Sequence, residues 1–168
     1  MRKFVLAFVF GIVWSWNASA AWEIRSMKGA TEQDRAIATR AVGIVNATVS
    51  SSCFGERVKA AKFTETNKKS NDEILTLVRK GYPLDLIMYR SLKPWSKVYA
   101  YVADVNGPIY LHRKFWRPGY DRGRANTLVH EYMHKLWFSH QFSPWSSSVP
   151  YQVGNILEEC AAGVPVLP

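Results

Sequence analysis

The stretch RANTLVHEYMHKLWFSH, residues 124–140, joins an apolar helical face to three of the four histidines of the chain. Asn126 is a residue type that commonly caps a helix, so we predict a helix from about Thr127 to Trp137. At 100° per residue, the following largely apolar side chains share one broad side of this helix: Leu128, Val129, Tyr132, Met133 and Leu136. This side predicts that the helix packs into the core of a folded domain.

His130 and His134 lie about one helical turn apart, at the edge of that apolar side. Their spacing brings the two imidazoles one above the other, which is the geometry that two ligands of one metal ion need. Glu131 is rotated by about 100° from His130, so it cannot easily be a further ligand. It can instead take a proton from a water molecule beside the metal, which makes it a candidate general base.

Two N-terminal helices precede this segment. TEQDRAIATRAVGIVNATVSS, residues 31–51, and SNDEILTLVRKG, residues 70–81, each begin with a capping signal and continue with apolar residues at helical spacing. KFTETNKK, residues 62–69, is polar and rich in lysine, so we predict a surface loop between the two helices. The N-terminal part of the domain is therefore expected to be helical.

The middle of the chain has the composition of β-strands. LDLIMYRS (84–91), KVYAYVADV (97–105) and PIYLHRKFW (108–116) are rich in valine, isoleucine and tyrosine, and they predict a small twisted sheet of about three strands. Asn106-Gly107 predicts a hairpin between the last two strands. YQVGNILEECAAG (151–163) predicts a short C-terminal helix, so the fold class is α+β in a single domain.

HEYMH, residues 130–134, has the pattern H-E-x-x-H and thereby resembles the zincin metallopeptidases. The resemblance implies a zincin-like domain over residues 21–168, in which His130 and His134 bind Zn²⁺ and Glu131 is the general base. The implied activity is hydrolysis of peptide bonds by a metal-activated water. The implied substrate is a peptide, a protein or a peptidoglycan peptide. The strand nearest the active-site helix, here PIYLHRKFW, would then present its edge to an extended substrate.

Two candidates compete for the third metal ligand. His140 stands ten residues after His130, the spacing of the metzincins, although Trp137 occupies the position of their glycine and no methionine follows Met133 to form their methionine turn. A continuous helix would carry His140 about 9 Å beyond His134, so the helix has to end near Trp137 for His140 to bind. The gluzincin pattern offers Glu158 or Glu159 from the C-terminal helix instead. The spacing favours His140.

Tyr151 is a candidate for stabilising the reaction or for binding substrate. The segment SVPYQVG after His140 would pass beneath the metal in place of the missing methionine turn, and Tyr151 would then donate a hydrogen bond to the oxyanion. Packing in the core is the alternative role for this side chain. The sequence leaves both roles open.

The N-terminus indicates where the protein acts. Residues 1–20 combine the basic start MRK, the uncharged run FVLAFVFGIVWSW and the small residues of Ala18-Ser19-Ala20, a pattern typical of a secretory signal peptide. The apolar run is shorter than the roughly 20 residues that span a bilayer, which disfavours an uncleaved anchor. We therefore predict a periplasmic or extracellular protein that begins at Ala21 and has no stable membrane anchor after cleavage.

The cysteines and the net charge bear on a possible disulfide and on the possible binding partners. Cys53 and Cys160 remain after cleavage, and they either pair in a disulfide or stay as separate thiols. Loss of Arg2 and Lys3 lowers the formal net charge from +9 to +7, yet the basic residues are dispersed and interleave with no aromatic motif, so no nucleic-acid partner is expected. Two alternatives to a peptidase stay open: a non-catalytic exported module with a structural zinc, and a basic protein that binds the cell wall.

Overall fold

The computed structural model of the protein describes residues 21–90, 97–141 and 145–163. Within them the chain is α+β, with a mixed sheet of four strands and six α-helices. The strands are β1 Glu23–Lys28, β2 Pro83–Tyr89, β3 Ala100–Val102 and β4 Ile109–His112. The helices are α1 Glu32–Val49, α2 Ser52–Ala60, α3 Asn71–Arg79, α4 Arg113–Trp116, α5 Asp121–Lys135 and α6 Val149–Cys160.

The signal peptide that the sequence predicts over residues 1–20 lies outside the described residues. Among the residues that are described, no helix is both long enough and apolar enough to cross a membrane.

The sheet has the strand order β1-β2-β4-β3, with β1, β2 and β4 parallel and β3 antiparallel to β4. The prediction of about three strands missed β1, because its sequence EIRSMK buries only Met27 fully and otherwise has the composition of a polar segment. The hairpin around Asn106-Gly107 is confirmed, although its two strands are much shorter than predicted. The third predicted strand, PIYLHRKFW, ends at His112, and Arg113–Trp116 forms α4 instead.

Local capping explains where the N-terminal helices begin. Thr31 accepts a hydrogen bond from the Asp34 amide, and Ser70 accepts one from the Glu73 amide; each pair forms a complete capping box. Gly81, with φ of +70°, follows α3 and ends it as expected. Helix α2 was not predicted, since its apolar residues are few.

Helix α5 begins six residues earlier than predicted, at Asp121 rather than Thr127. Asn126 is therefore not its cap but lies within the helix, where its side chain donates a hydrogen bond to Glu158 Oε2 at 2.7 Å. Gly123 lies within the helix, beside the Tyr120 ring. A Cβ at this position would lie 3.1 Å from that ring, so the ring leaves little room for a larger side chain. The apolar side of α5 is confirmed, with Leu128, Val129, Tyr132 and Met133 buried and Leu136 partly buried.

Aromatic packing fixes the buried side of α5 against the sheet. Tyr132 stacks on Tyr82 with ring centroids 4.4 Å apart and meets the edge of Trp22 at 4.9 Å. Trp22 is itself held by a hydrogen bond from its indole Nε1 to the Val78 carbonyl at 3.0 Å. These contacts hold the Tyr132 side of α5 in the core, while His130 and His134 lie partly buried on another side of the helix.

Helix α6 packs closely on α5 and is tied to α2. Gly154 allows the close approach, because a Cβ there would lie 2.2 Å from Asn126 Oδ1. At the end of α6, the Sγ atom of Cys160 lies 2.04 Å from that of Cys53 in α2, which is disulfide-bonding distance. Of the two possibilities for these cysteines, the structure therefore has the paired one.

An ion pair with a buried carboxylate links α1 to the chain that leads into α5. Asp34 is fully buried, and its carboxylate accepts hydrogen bonds from Arg117 Nε at 2.8 Å and Nη2 at 3.0 Å, and from the Thr31 amide at 2.9 Å. The Arg117 guanidinium holds the pKa of the Asp34 carboxyl well below its usual range, and the Thr31 hydrogen bonds add to that effect against the opposing effect of burial.

We expect Asp34→Asn to lower the free energy of unfolding by about 1–2 kcal/mol at neutral pH, because it removes the charge from a buried hydrogen-bond acceptor, while Arg117, whose side chain is 36% exposed, can still be solvated. Since the folded-state pKa of Asp34 is depressed, its stabilisation is present above the unfolded pKa of about 3.9 and is lost as the pH falls below it. Urea unfolding of both proteins should therefore give a difference that narrows below about pH 4.

Asp72→Asn is the matched control for this prediction. Asp72 pairs with Lys59 at 3.1 Å, but both side chains are largely exposed. The control should change the free energy of unfolding by no more than about 0.5 kcal/mol. Equal losses in the two variants, or a loss in Asp34→Asn that does not depend on pH, would contradict a stabilising role for the ionised Asp34 carboxylate.

Candidate metal and active site

Three imidazoles converge at the C-terminal end of α5. The His130 and His134 rings, one helical turn apart, have centroids 5.1 Å from each other, and the His140 ring lies 5.6 Å from the first and 4.7 Å from the second. One nitrogen from each ring lies within 4.8 Å of the others, and all three side chains are partly buried. The arrangement could hold one metal ion, as three histidines do in many zinc sites.

A tight turn at Trp137 brings His140 back to the helix. The Trp137 amide donates to the His134 carbonyl at 3.0 Å and the Phe138 amide to the Met133 carbonyl at 3.1 Å, which together form a Schellman motif. Trp137 occupies the position in this motif that usually holds glycine, with φ of +67°. A non-glycine residue there costs about 1–2 kcal/mol. The helix thus ends where the sequence required it to end for His140 to reach the cluster.

Backbone carbonyls orient the rings of His130 and His134. His134 Nδ1 hydrogen-bonds the Phe138 carbonyl at 2.8 Å, and the His130 ring hydrogen-bonds the carbonyl of Pro150. Backbone carbonyls in this role fix the tautomer and leave the other ring nitrogen for a metal. Burial, together with the charges of His134 and His140, lowers the pKa of His130 to about 3, and burial also lowers the pKa of His134. The donor set therefore fits a cation such as Zn²⁺ at neutral pH.

Glu131 lines the same cleft as the three histidines. Its side chain is 7% exposed, and burial raises the pKa of its carboxyl to about 7. A carboxyl with such a pKa can both accept and return a proton near neutral pH. The position on the helix agrees with the predicted separation of Glu131 from the two histidines.

Tyr151, near the start of α6, closes the far side of the histidine cluster. Its ring centroid lies 4.6 Å from that of His130 and 5.1 Å from that of His140. The side chain is partly exposed and lines the cleft, so it is accessible from the space above the cluster. Tyr151 is thus brought into the site, although it lies 21 residues from His130 in the sequence.

Glu158 and Glu159, the alternative ligands, lie elsewhere. The Glu158 carboxylate accepts hydrogen bonds from Asn126 and from the Tyr120 hydroxyl, and Glu159 forms an ion pair with Arg57. Both line a second, smaller cavity of about 410 Å³ rather than the cleft of the histidines. The group of residues that could hold a metal, among those described, comprises the three histidines and neither glutamate.

The cleft above the histidines has a volume of about 750 Å³ and runs between α5 and the segment 97–105. The strand that lines this cleft is β3 and not the predicted PIYLHRKFW. The strand formed by that segment, β4, pairs with β2 on one side and with β3 on the other, so it has no free edge. The antiparallel hairpin places β3 at the edge of the sheet, next to α5. An extended chain in the cleft would therefore meet β3 rather than β4.

Sequence reasoning missed two residues that contact the loop of His140. Glu65 and Asn67 lie in KFTETNKK, which is a loop as predicted, yet their side chains hydrogen-bond the segment 137–141. Their separation from that segment is 70 residues or more, so no local pattern could have indicated the contact.

Comparison of the chain with profiles of known protein families, with curated proteins and with solved structures finds no match in any of the three.

Proposed function

We propose that this protein is a zinc-dependent peptidase of the zincin type. The observation that carries the proposal is the convergence of His130, His134 and His140 in one cleft with the buried carboxyl of Glu131. Such a set serves hydrolysis better than it serves a structural site, because a structural zinc is normally enclosed by four protein ligands and has no need of a buried acid beside it.

His130, His134 and His140 are the proposed ligands. A bound Zn²⁺ would act as a Lewis acid and would lower the pKa of a water molecule to about 7. Glu131 accepts a proton from the attacking water at its carboxylate and returns that proton to the leaving amine. Burial of this carboxyl raises its pKa, which favours return of the proton by the same residue that accepts it.

Tyr151 and β3 are proposed to position the substrate. The Tyr151 hydroxyl would donate a hydrogen bond to the carbonyl oxygen on which negative charge develops. An extended peptide would pair with the edge of β3 through backbone hydrogen bonds, which favours a peptide or a flexible protein segment and discriminates little between side chains. A peptidoglycan peptide is compatible with the same mode of binding.

We further propose that the protein is exported and acts in the periplasm or outside the cell. The signal peptide predicted over residues 1–20 and the paired cysteines support this location, since disulfides persist in oxidising compartments.

Metal content tests the proposed function first. The domain from residue 21, prepared under oxidising conditions, should contain one zinc per chain by elemental analysis. A chelator should remove both the zinc and the cleavage of a mixed peptide library, and added Zn²⁺ should restore both. Absence of stoichiometric metal, or a zinc-loaded protein that cleaves no peptide in the library, would overturn the proposal.

A further inference from the structure

The turn that delivers His140 is costly by itself. Trp137 adopts φ of +67° where glycine would be unstrained, and its side chain is 72% exposed, so burial of the indole contributes little towards offsetting the strain. Some other part of the molecule must therefore hold the turn in place.

The loop of residues 64–68, which we term the brace, contacts the residues immediately before and after His140. Glu65 Oε2 accepts a hydrogen bond from Ser139 Oγ at 2.5 Å and another from the Gln141 amide at 3.1 Å. These donors are the residues immediately before and after His140. The carboxylate thus bonds the side chain of the residue before the histidine and the backbone of the residue after it, with hydrogen bonds that its charge strengthens.

Asn67 acts on the turn itself. Its side-chain Nδ2 donates a hydrogen bond to the Trp137 carbonyl at 2.5 Å. The peptide that follows the left-handed residue is therefore held by a partner 70 residues away in the sequence. Together, the hydrogen bonds of Glu65 and Asn67 stabilise a turn that glycine would adopt without strain.

The backbone of the brace is itself strained. Glu65, Asn67 and Lys68 have φ values of +55°, +53° and +64°, three non-glycine residues in the left-handed region within four positions. Such backbone persists only where the surroundings enforce it, and it is concentrated at functional sites.

The other end of the brace is attached to the segment that carries Tyr151. The Thr64 amide donates to the Ser147 carbonyl at 2.8 Å, and Thr64 forms a parallel bridge with Ser148. Gln152 Nε2 donates to the Lys62 carbonyl at 3.1 Å, just before the brace begins. One loop therefore connects the His140 loop with the N-terminus of α6, the two parts of the site that lie outside α5.

We propose that Glu65 is a positioning residue for His140 and that the brace substitutes for the missing glycine at position 137. The inference rests on the proposed metal site, because its effect is exerted through the position of a ligand. Glu65 itself touches neither metal nor substrate in this scheme.

Glu65→Ala tests the proposal through metal affinity. Competition with a chromophoric chelator should show zinc bound about 10–100-fold more weakly than by the wild type, the range expected for loss of a group that orients a ligand. Glu65→Gln keeps the side-chain length and one acceptor oxygen, so its affinity should lie between the two. The absorption spectrum of the Co²⁺-loaded variant should also change, because that spectrum depends on the ligand geometry. Wild-type affinity in a folded Glu65→Ala protein would overturn the proposal.

Two further variants separate positioning from general stability. Glu159→Ala, which removes an exposed carboxylate paired with Arg57, should leave zinc affinity unchanged. Trp137→Gly added to Glu65→Ala should restore most of the lost affinity, since glycine adopts the left-handed turn without help. If the second substitution does not restore zinc affinity, the brace does not take the role of a glycine at position 137. If Glu65→Ala does not fold, Glu65→Gln carries the same comparisons.

The outcomes distinguish this inference from the proposed function. Wild-type protein that binds no zinc would overturn the metal site itself. If the wild type binds zinc and folded Glu65→Ala binds it equally tightly, the metal site stands and only the proposed role of Glu65 is overturned.

Discussion

Replacement of Glu131 by glutamine is expected to lower kcat for peptide cleavage by about 10²–10⁴-fold, the contribution typical of a general base. Glutamine has nearly the same shape but cannot accept and return the proton. Because Glu131 is rotated away from the histidines and is not one of the proposed ligands, the zinc content should remain one per chain. Steady-state kinetics and elemental analysis of the same preparation check both parts.

The fold should survive this substitution. The Glu131 carboxyl is buried and its pKa is raised, so exchange for a neutral amide removes the cost of burying a charge at high pH. Glu159→Gln is the matched control, since that carboxylate is exposed and lies outside the cleft; it should retain wild-type kcat. Full activity in Glu131→Gln would exclude the proposed general base, and loss of zinc in that variant would assign Glu131 to the metal instead.

His140→Ala is expected to have the largest effect on metal binding. Removal of a direct ligand should weaken zinc binding by more than about 100-fold, the upper end of what loss of a supporting group costs. The metal-free variant should fold normally, because His140 is only partly buried and its loop is held by Glu65 and Asn67. Chelator competition measures the affinity, and circular dichroism checks the fold.

The glutamates provide the decisive comparison for this prediction. Glu158→Gln and Glu159→Gln should bind zinc as the wild type does, since these side chains contact Asn126, Tyr120 and Arg57 away from the histidines. Wild-type affinity in His140→Ala, together with weakened binding in either glutamate variant, would make that glutamate the third ligand.

Features that depend on short-range interactions were predicted well from the sequence. The capping boxes at Thr31 and Ser70 join residues three positions apart, and the alignment of His130 with His134 follows from the helical repeat. The α+β class and the hairpin around Asn106-Gly107 follow from composition and turn residues in the same way. These features are local, so neighbouring residues contain the information that determines them.

The start of α5 could not be predicted from local sequence in the same way. Its first turns contain Gly123 and no apolar repeat, and they form because Arg124 is buried against the chain before it. Arg124 donates to the carbonyls of Trp116 at 2.8 Å and Arg117 at 2.7 Å and pairs with Asp121. Contacts of this kind override local propensity, and they are not visible in a helical pattern.

The strands illustrate the same limit. The identity of the edge strand depends on the order in which four strands pair, and β1 is placed beside β2 from 60 residues away. Neither the composition of PIYLHRKFW nor that of KVYAYVADV distinguishes an interior strand from an edge strand. The strand that faces the cleft was therefore predicted incorrectly.

The sequence by itself determined the pair His130 and His134 and the position of Glu131 on the helix, because one element contains all three and its periodicity orients them. Only the tertiary structure decided that His140 joins them while Glu158 and Glu159 do not. That outcome depends on a left-handed Trp137, whose cost is offset by hydrogen bonds from a loop some 70 residues away. Interactions between parts of the chain so distant in sequence arise only when the whole domain folds.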